Sequence, residues 1–139
     1  MSDFRPSGFS VLPTVVKNLL IINVLFFLAT IACDMVLRID LADYLGLHYI
    51  GASDFQPYQL VTYMFMHGNF AHLFFNMFAL WMFGNTLENI WGANRFLLFY
   101  FVCGIGAGLV QELVQYIQYA TTLQGYENVR IADTNALDI

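Results

Sequence analysis

Three apolar stretches, separated by two polar connections, set out the chain. Residues 19–33 carry no charge and are bracketed by Lys17 and Asp34. Extended over 15–37, the run has the roughly 20 residues a helix needs to cross a bilayer. Residues 38–54 break the pattern with Arg38, Asp40, Asp43, His48, Asp54 and two glycines, Gly46 and Gly51. They read as a connection, partly helical, lying at the membrane interface. From 55 to 87 there is no Asp, Glu, Lys or Arg. That is too long for one span, so something must divide it. Gly68-Asn69 is the divider, because Asn caps helix N-termini well and Gly sits poorly inside a helix. Residues 56–66 then form an aromatic-rich segment at the membrane surface. A second spanning helix follows over 70–90, with Trp91 as an interfacial anchor. Ala93-Asn94-Arg95 is a tight turn, and a third span covers 96–116. Residues 120–139 are polar and read as a truncated loop. The expectation is an all-α membrane protein, a single domain over 1–139 with three transmembrane helices and a long first loop.

Composition supports the bilayer. The chain is 59% hydrophobic and 11% charged, with a mean hydropathy of +0.62. A soluble domain carries about a quarter charged residues. The net charge of −5 and the absence of a basic run exclude nucleic acid as a partner. Cys33 and Cys103 both lie in apolar runs and read as packing thiols. The N-terminus has no secretory signal, and Thr30-Ile-Ala-Cys33 only faintly resembles a lipoprotein cleavage box. With three spans, Arg5, Lys17 and Arg95 fall on one side and Arg38 and Arg130 on the other. That bias places the N-terminus in the cytoplasm.

The candidate chemistry is a cluster at the start of the second span. His72 and Asn76 are four apart and share one helix face, with His67 in the loop before it. Polar side chains at membrane depth are costly and usually face the inside of a bundle. Three readings of the cluster stand. The first is interhelical hydrogen bonding, worth about 0.6 kcal/mol per contact on average. The second is a metal site, disfavoured because histidines five apart do not share a helix face and no carboxylate stands near. The third is an oxyanion hole, in which an imidazole N–H and an amide NH₂ supply two neutral donors. Other polar positions read as structural. Asn23 is expected to bond a neighbouring helix, and His48 to be an ordinary interfacial histidine. Gly84, Glu88 and Gly92 are again spaced by four, and Gly104 and Gly108 form a G-x-x-x-G face that favours close packing. Gln111, Gln115 and Gln118 line one stripe, with Glu112 beside it.

The order His67-x-x-x-x-His72-x-x-x-Asn76, then Gly84-x-x-x-Glu88-x-x-x-Gly92, closely resembles the second transmembrane helix of rhomboid intramembrane serine proteases. The resemblance extends to the apolar first helix, the long first loop and the glycine-bearing third helix, over about residues 15–120. It implies the N-terminal three helices of a six-helix rhomboid-like bundle, multi-pass, in a bacterial inner membrane. His72 and Asn76 would donate to the oxyanion, His67 would hold the site geometry, and Glu88 would stabilise the turn at the far end of the helix. The implied substrate is a transmembrane segment of a protein in the lipid bilayer, cut without cofactor or metal. Two departures stand out. Many rhomboids carry Trp-Arg in the first loop, where this chain has Tyr58-Gln59. The family's nucleophile is a Ser in Gly-x-Ser-Gly on a fourth helix, and its base is a His on a sixth. No Gly-x-Ser-Gly occurs here; Gly51-Ala-Ser53-Asp54 lacks the last Gly, and no histidine follows His72. The expectation is a fragment that supplies the oxyanion-hole helix and is inactive alone. The alternative is a non-catalytic relative, or a three-helix packing or binding module.

Overall fold

Pro13 opens the first helix with φ −62° and offers no side-chain oxygen to cap it. The computed structural model describes residues 10–137, and the side chains of residues 10–127. Helix α1 spans Thr14–Ala32 and continues as a π-helical turn, Cys33–Leu37. It stops where Arg38 takes a left-handed conformation, φ 56°. The connection that follows holds two one-turn helices, α2 (Ala42–Leu45) and α3 (Gln59–Thr62), the latter running into a 3₁₀ turn at Tyr63–Phe65. Helix α4 spans Phe70–Trp91, and α5 spans Ala93–Leu137.

The break at Gly68-Asn69 falls where the helix signals place it. The reversal between α4 and α5 is sharper than expected. Gly92 alone makes it, with φ 84°, a region that only glycine enters without strain. Residues 93–95, expected as a turn, are the first turn of α5. Of residues 120–139, expected as a loop, 120–137 continue the helix, and 138–139 lie outside the described residues. Polarity does not end a helix; Pro or Gly does, and this stretch has no Pro and a single Gly, Gly125. Thr121 and Thr122 turn their hydroxyls back onto the carbonyls of Ile117 and Gln118, at 3.0 and 2.8 Å.

The polarity of the molecule is inverted relative to a water-soluble domain. Large apolar side chains cover the outside: Ile21, Leu25 and Leu28 on α1, Phe74, Phe75 and Phe83 on α4, and Leu98, Val102 and Leu113 on α5 are all exposed. Inside, next to the small core of Val16, Leu19, Phe65 and Phe96, lie Asn23, Gln59, His67, Glu88 and Glu112. Water would not tolerate such an apolar exterior; hydrocarbon does. Two helices are long and apolar enough to cross a membrane, Thr14–Leu37 with hydropathy 2.4 and Ala93–Glu127 with hydropathy 1.8. Helix α4 has 22 residues, about 33 Å at 1.5 Å per residue. Its His72, Asn76, Asn85, Glu88 and Asn89 make it more polar than the other two.

Two devices fix α4 against its neighbours. At Gly84 the three long helices converge: a Cβ there would lie 2.9 Å from both Val16 of α1 and Phe96 of α5. One turn on, the Glu88 carboxylate reaches across to α1. Its two oxygens accept the backbone N–H groups of Val15 (2.9 Å) and Val16 (2.8 Å). These are orphan donors of the first turn of α1, and a carboxylate also suits the positive end of the helix dipole. Glu88 therefore pins a different helix as well as sitting near its own end. The segment before α1 is stapled to the same face of α4. Asn89 exchanges hydrogen bonds with Ser10, and Asn85 donates to the Val11 carbonyl at 3.0 Å.

Candidate active site

The site is built where the connection enters α4. Asn69 is extended, φ −160° and ψ 169°, and its side-chain oxygen accepts the His72 backbone N–H at 2.8 Å. This N-cap sets both the start of α4 and the orientation of its first turn. His72 and Asn76 then follow one turn apart, both exposed. Among the described residues, neither side chain bonds to α1 or α5. Asn76 lines a cavity that residues of α1 and α5 share, and the interhelical-packing reading finds no hydrogen bond for the pair among the described residues.

His67 is buried, 6% exposed. The turn at Gly68-Asn69 folds it back so that its ring meets the ring of His72 edge to face, centroids 5.2 Å apart. Its Nδ1 lies 3.2 Å from the Phe65 carbonyl oxygen. A carbonyl only accepts, so the contact places a proton on Nδ1 and leaves Nε2 as the acceptor. Burial pushes the His67 pKa below the ordinary histidine range. The Phe65 carbonyl offsets part of this, and the neighbouring His72 adds to it. The ring therefore gives up its proton more readily than a free histidine.

Asn76 and His67 open onto a cavity of about 420 Å³ between the long helices, with Asn23, Tyr100 and Cys103 also on its wall. The Asn23 amide donates to Leu19 O of its own helix at 2.7 Å, and its side chain also meets Tyr100 of the neighbouring α5, as expected of it. On the other side of His67 a second cavity adjoins Asp34, Asp40 and Asn69. Among the described residues, no three His, Cys, Asp or Glu side chains gather closely enough to hold a metal ion.

The loop that carries His67 is braced by Gln59, one of the two residues standing in place of Trp-Arg. Its side chain is buried, 1% exposed. The amide nitrogen donates to Tyr44 O and Asp54 O, and the oxygen accepts from the backbone of His48 and Gln56, all at 3.1–3.3 Å. Four bonds from one amide close the first loop on itself. His48 plays a structural part here, with Nδ1 3.2 Å from Gly46 O.

What the arrangement offers is an imidazole and an amide on an exposed helix face, beside a buried imidazole whose pKa is lowered. A model of the rhomboid domain matches residues 54–125, just over half of the 139. The chain belongs to the rhomboid family. With its two long apolar helices, this rhomboid is an integral membrane protein. The matched residues run from the loop brace through the capped start of α4 and into α5. Rhomboid protease GluP of Bacillus subtilis is 44% identical over 48 residues, which is 34% of this chain and 10% of that protein. Rhomboid-like protease 1 of Toxoplasma gondii is 30% identical over 105 residues, 71% of this chain and 36% of that protein. Rhomboid protease AarA of Providencia stuartii is 36% identical over 59 residues, 42% of this chain and 21% of that protein. The chain spans between a tenth and about a third of the length of these relatives. No solved structure matches it.

Proposed function

We propose that this rhomboid is an intramembrane serine endopeptidase in which α4 supplies the oxyanion-hole donors His72 and Asn76. The observation that carries the reading is the exposed His72–Asn76 stripe, fixed by the Asn69 cap and backed by His67 at 5.2 Å. Serine attack on a peptide carbonyl moves a full negative charge onto the carbonyl oxygen. The His72 imidazole and the Asn76 amide, one turn apart on one face of α4, would both donate to such an oxygen. In a site shielded from water each donor contributes roughly 3 kcal/mol to the transition state. His67 positions His72 without reacting itself. The nucleophile and base must come from outside these 139 residues, which hold no Gly-x-Ser-Gly and no histidine after His72. The substrate is a transmembrane segment of another membrane protein, and the chain needs no cofactor or metal for this chemistry. The second reading is a non-catalytic relative that binds such segments with the same α4 face.

The test is cleavage of a model transmembrane substrate by the protein at its full natural length. His72→Ala and Asn76→Ala are expected to lower kcat about 10²–10³-fold with modest change in KM, because oxyanion donors act on the transition state. Thermal melting in detergent checks that both variants fold. Folded variants that cleave at the wild-type rate return the two residues to packing. A wild type that binds the segment and never cuts it favours the non-catalytic relative.

A further inference from the structure

Glu112 sits in the interior of α5, among exposed apolar neighbours, and is itself buried, 8% exposed. A buried carboxylate is costly unless hydrogen bonds compensate it. Its Oε2 accepts the backbone N–H of Ile50, 62 residues earlier in the α1–α4 connection, at 2.7 Å. Its Oε1 has no partner among the described residues. We propose that Glu112 is a positioning residue that clamps the connection to α5 and through it holds His67 beside His72.

Four further contacts fall on the same face of α5. Gly104, Gly108 and Glu112 follow at intervals of four, and Tyr119 comes seven later, so all four share a stripe. Met64 lies over Gly104 so closely that a methyl group there would overlap it, and the Tyr63 ring packs on Gly108. The Tyr63 hydroxyl donates to Gly104 O. The rings of Tyr49 and Tyr119 lie 6.2 Å apart. The close packing that the G-x-x-x-G spacing predicts is made by the aromatic and thioether side chains of the connection. Where the loop offers a backbone amide instead of a side chain, α5 offers a carboxylate. From Tyr63 and Met64 the chain passes through Phe65, stacked on Phe26 at 5.6 Å, whose carbonyl meets His67. The earlier half of the connection, held at Ile50, is joined to this later half by the Gln59 brace. The clamp itself stands on these distances; its effect on catalysis rests on the oxyanion-hole reading.

The test compares wild type, Glu112→Ala, Glu112→Gln and Glu112→Asp in detergent micelles. Amide exchange at Ile50 and the NMR signals of the His67 ring are followed alongside kcat and KM. With the acceptor gone, the alanine variant exchanges the Ile50 amide about tenfold faster or more. Its His67 ring signals shift, and kcat falls while KM holds. The glutamine variant keeps a carbonyl for Ile50 and restores all three. The aspartate variant is one methylene shorter and withdraws the acceptor while keeping the charge, so it gives the same readout should the alanine variant not fold. Unchanged exchange at Ile50 in the alanine and aspartate variants overturns the clamp. Faster exchange with unmoved His67 signals overturns the link to the site. A wild type without activity strikes only the protease reading, because exchange and ring signals still decide the clamp.

Discussion

Glu88→Gln tests whether the helix that bears the site is pinned as described. Glu88 is 6% exposed, and its oxygens accept two amides at 2.8 and 2.9 Å. Hydrogen bonds to a charged group contribute about 1.5–3 kcal/mol each. Glutamine keeps one oxygen acceptor and turns an NH₂ toward the other amide. One bond is lost, the other loses its charge, and two donors face each other. The expected loss is about 2–4 kcal/mol, and Glu88→Ala, which strands both amides, is expected to lose about 3–6 kcal/mol. No other side chain stands in, since Pro13 has no cap to offer. Circular-dichroism melting in detergent should show Glu88→Gln lower by roughly 5–15 °C. Amide exchange should speed up at Val15 and Val16 before it does elsewhere, because those are the stranded donors. Asp54→Asn, on an exposed loop, serves as the control for charge removal alone. A glutamine variant that melts with the wild type, its Val15 and Val16 amides still protected, would refute the pin.

His67 predicts a pH dependence of stability. Burial lowers its pKa in the folded protein, so near and below about 6.5 the unfolded chain binds a proton that the folded one resists. Stability is then full above that range and declines as pH falls through it toward the lower folded-state pKa. Melting at pH 7.5 and 5.5 should show a drop in wild type that is smaller in His67→Gln; parallel curves would mean that another group titrates. The orientation proposed from the basic residues is checked by cysteine labelling in a background lacking Cys33 and Cys103. Asn94→Cys should react from the cytoplasmic side and Asp54→Cys from the opposite side; the reverse pattern overturns a cytoplasmic N-terminus.

What could be read from the sequence was local. The break before α4 was legible because Gly68-Asn69 carries its own signal, and the cap then forms within three residues. The His72–Asn76 face was legible because helix periodicity alone puts them together. The far end of α5 was not legible, because polar residues that form helix readily look like a loop when hydropathy is the only guide. The least legible features were the contacts between distant segments. Spacing showed that Gly84, Glu88 and Gly92 share a face, and it could not show that Glu88 reaches α1 across 72 and 73 residues. Glu112 looked like a companion to a glutamine stripe, yet it is the residue of that region that is buried and bonded.

These failures share a cause in the solvent. In a water-soluble domain, apolar burial separates inside from outside, and a hydrophobic pattern foretells which faces meet. Here the outside is as apolar as the core, so leucine and phenylalanine positions say little about which helix faces which. Specific contacts fall instead to the few polar side chains that can be satisfied in only one arrangement. Glu88 has α1, Glu112 has Ile50, Gln59 has four groups of its loop, and His67 has Phe65. Each bond joins a helix to the connection, a helix to another helix, or the connection to itself. Taken together they run from the start of α1 through α4 and α5 to the loop before the site. His72 and Asn76 are the polar pair on α4 left out of this scheme. Where Glu88, Gln59 and His67 are buried and bonded, His72 and Asn76 are exposed with unbonded side chains, which leaves their donors available to something that arrives later.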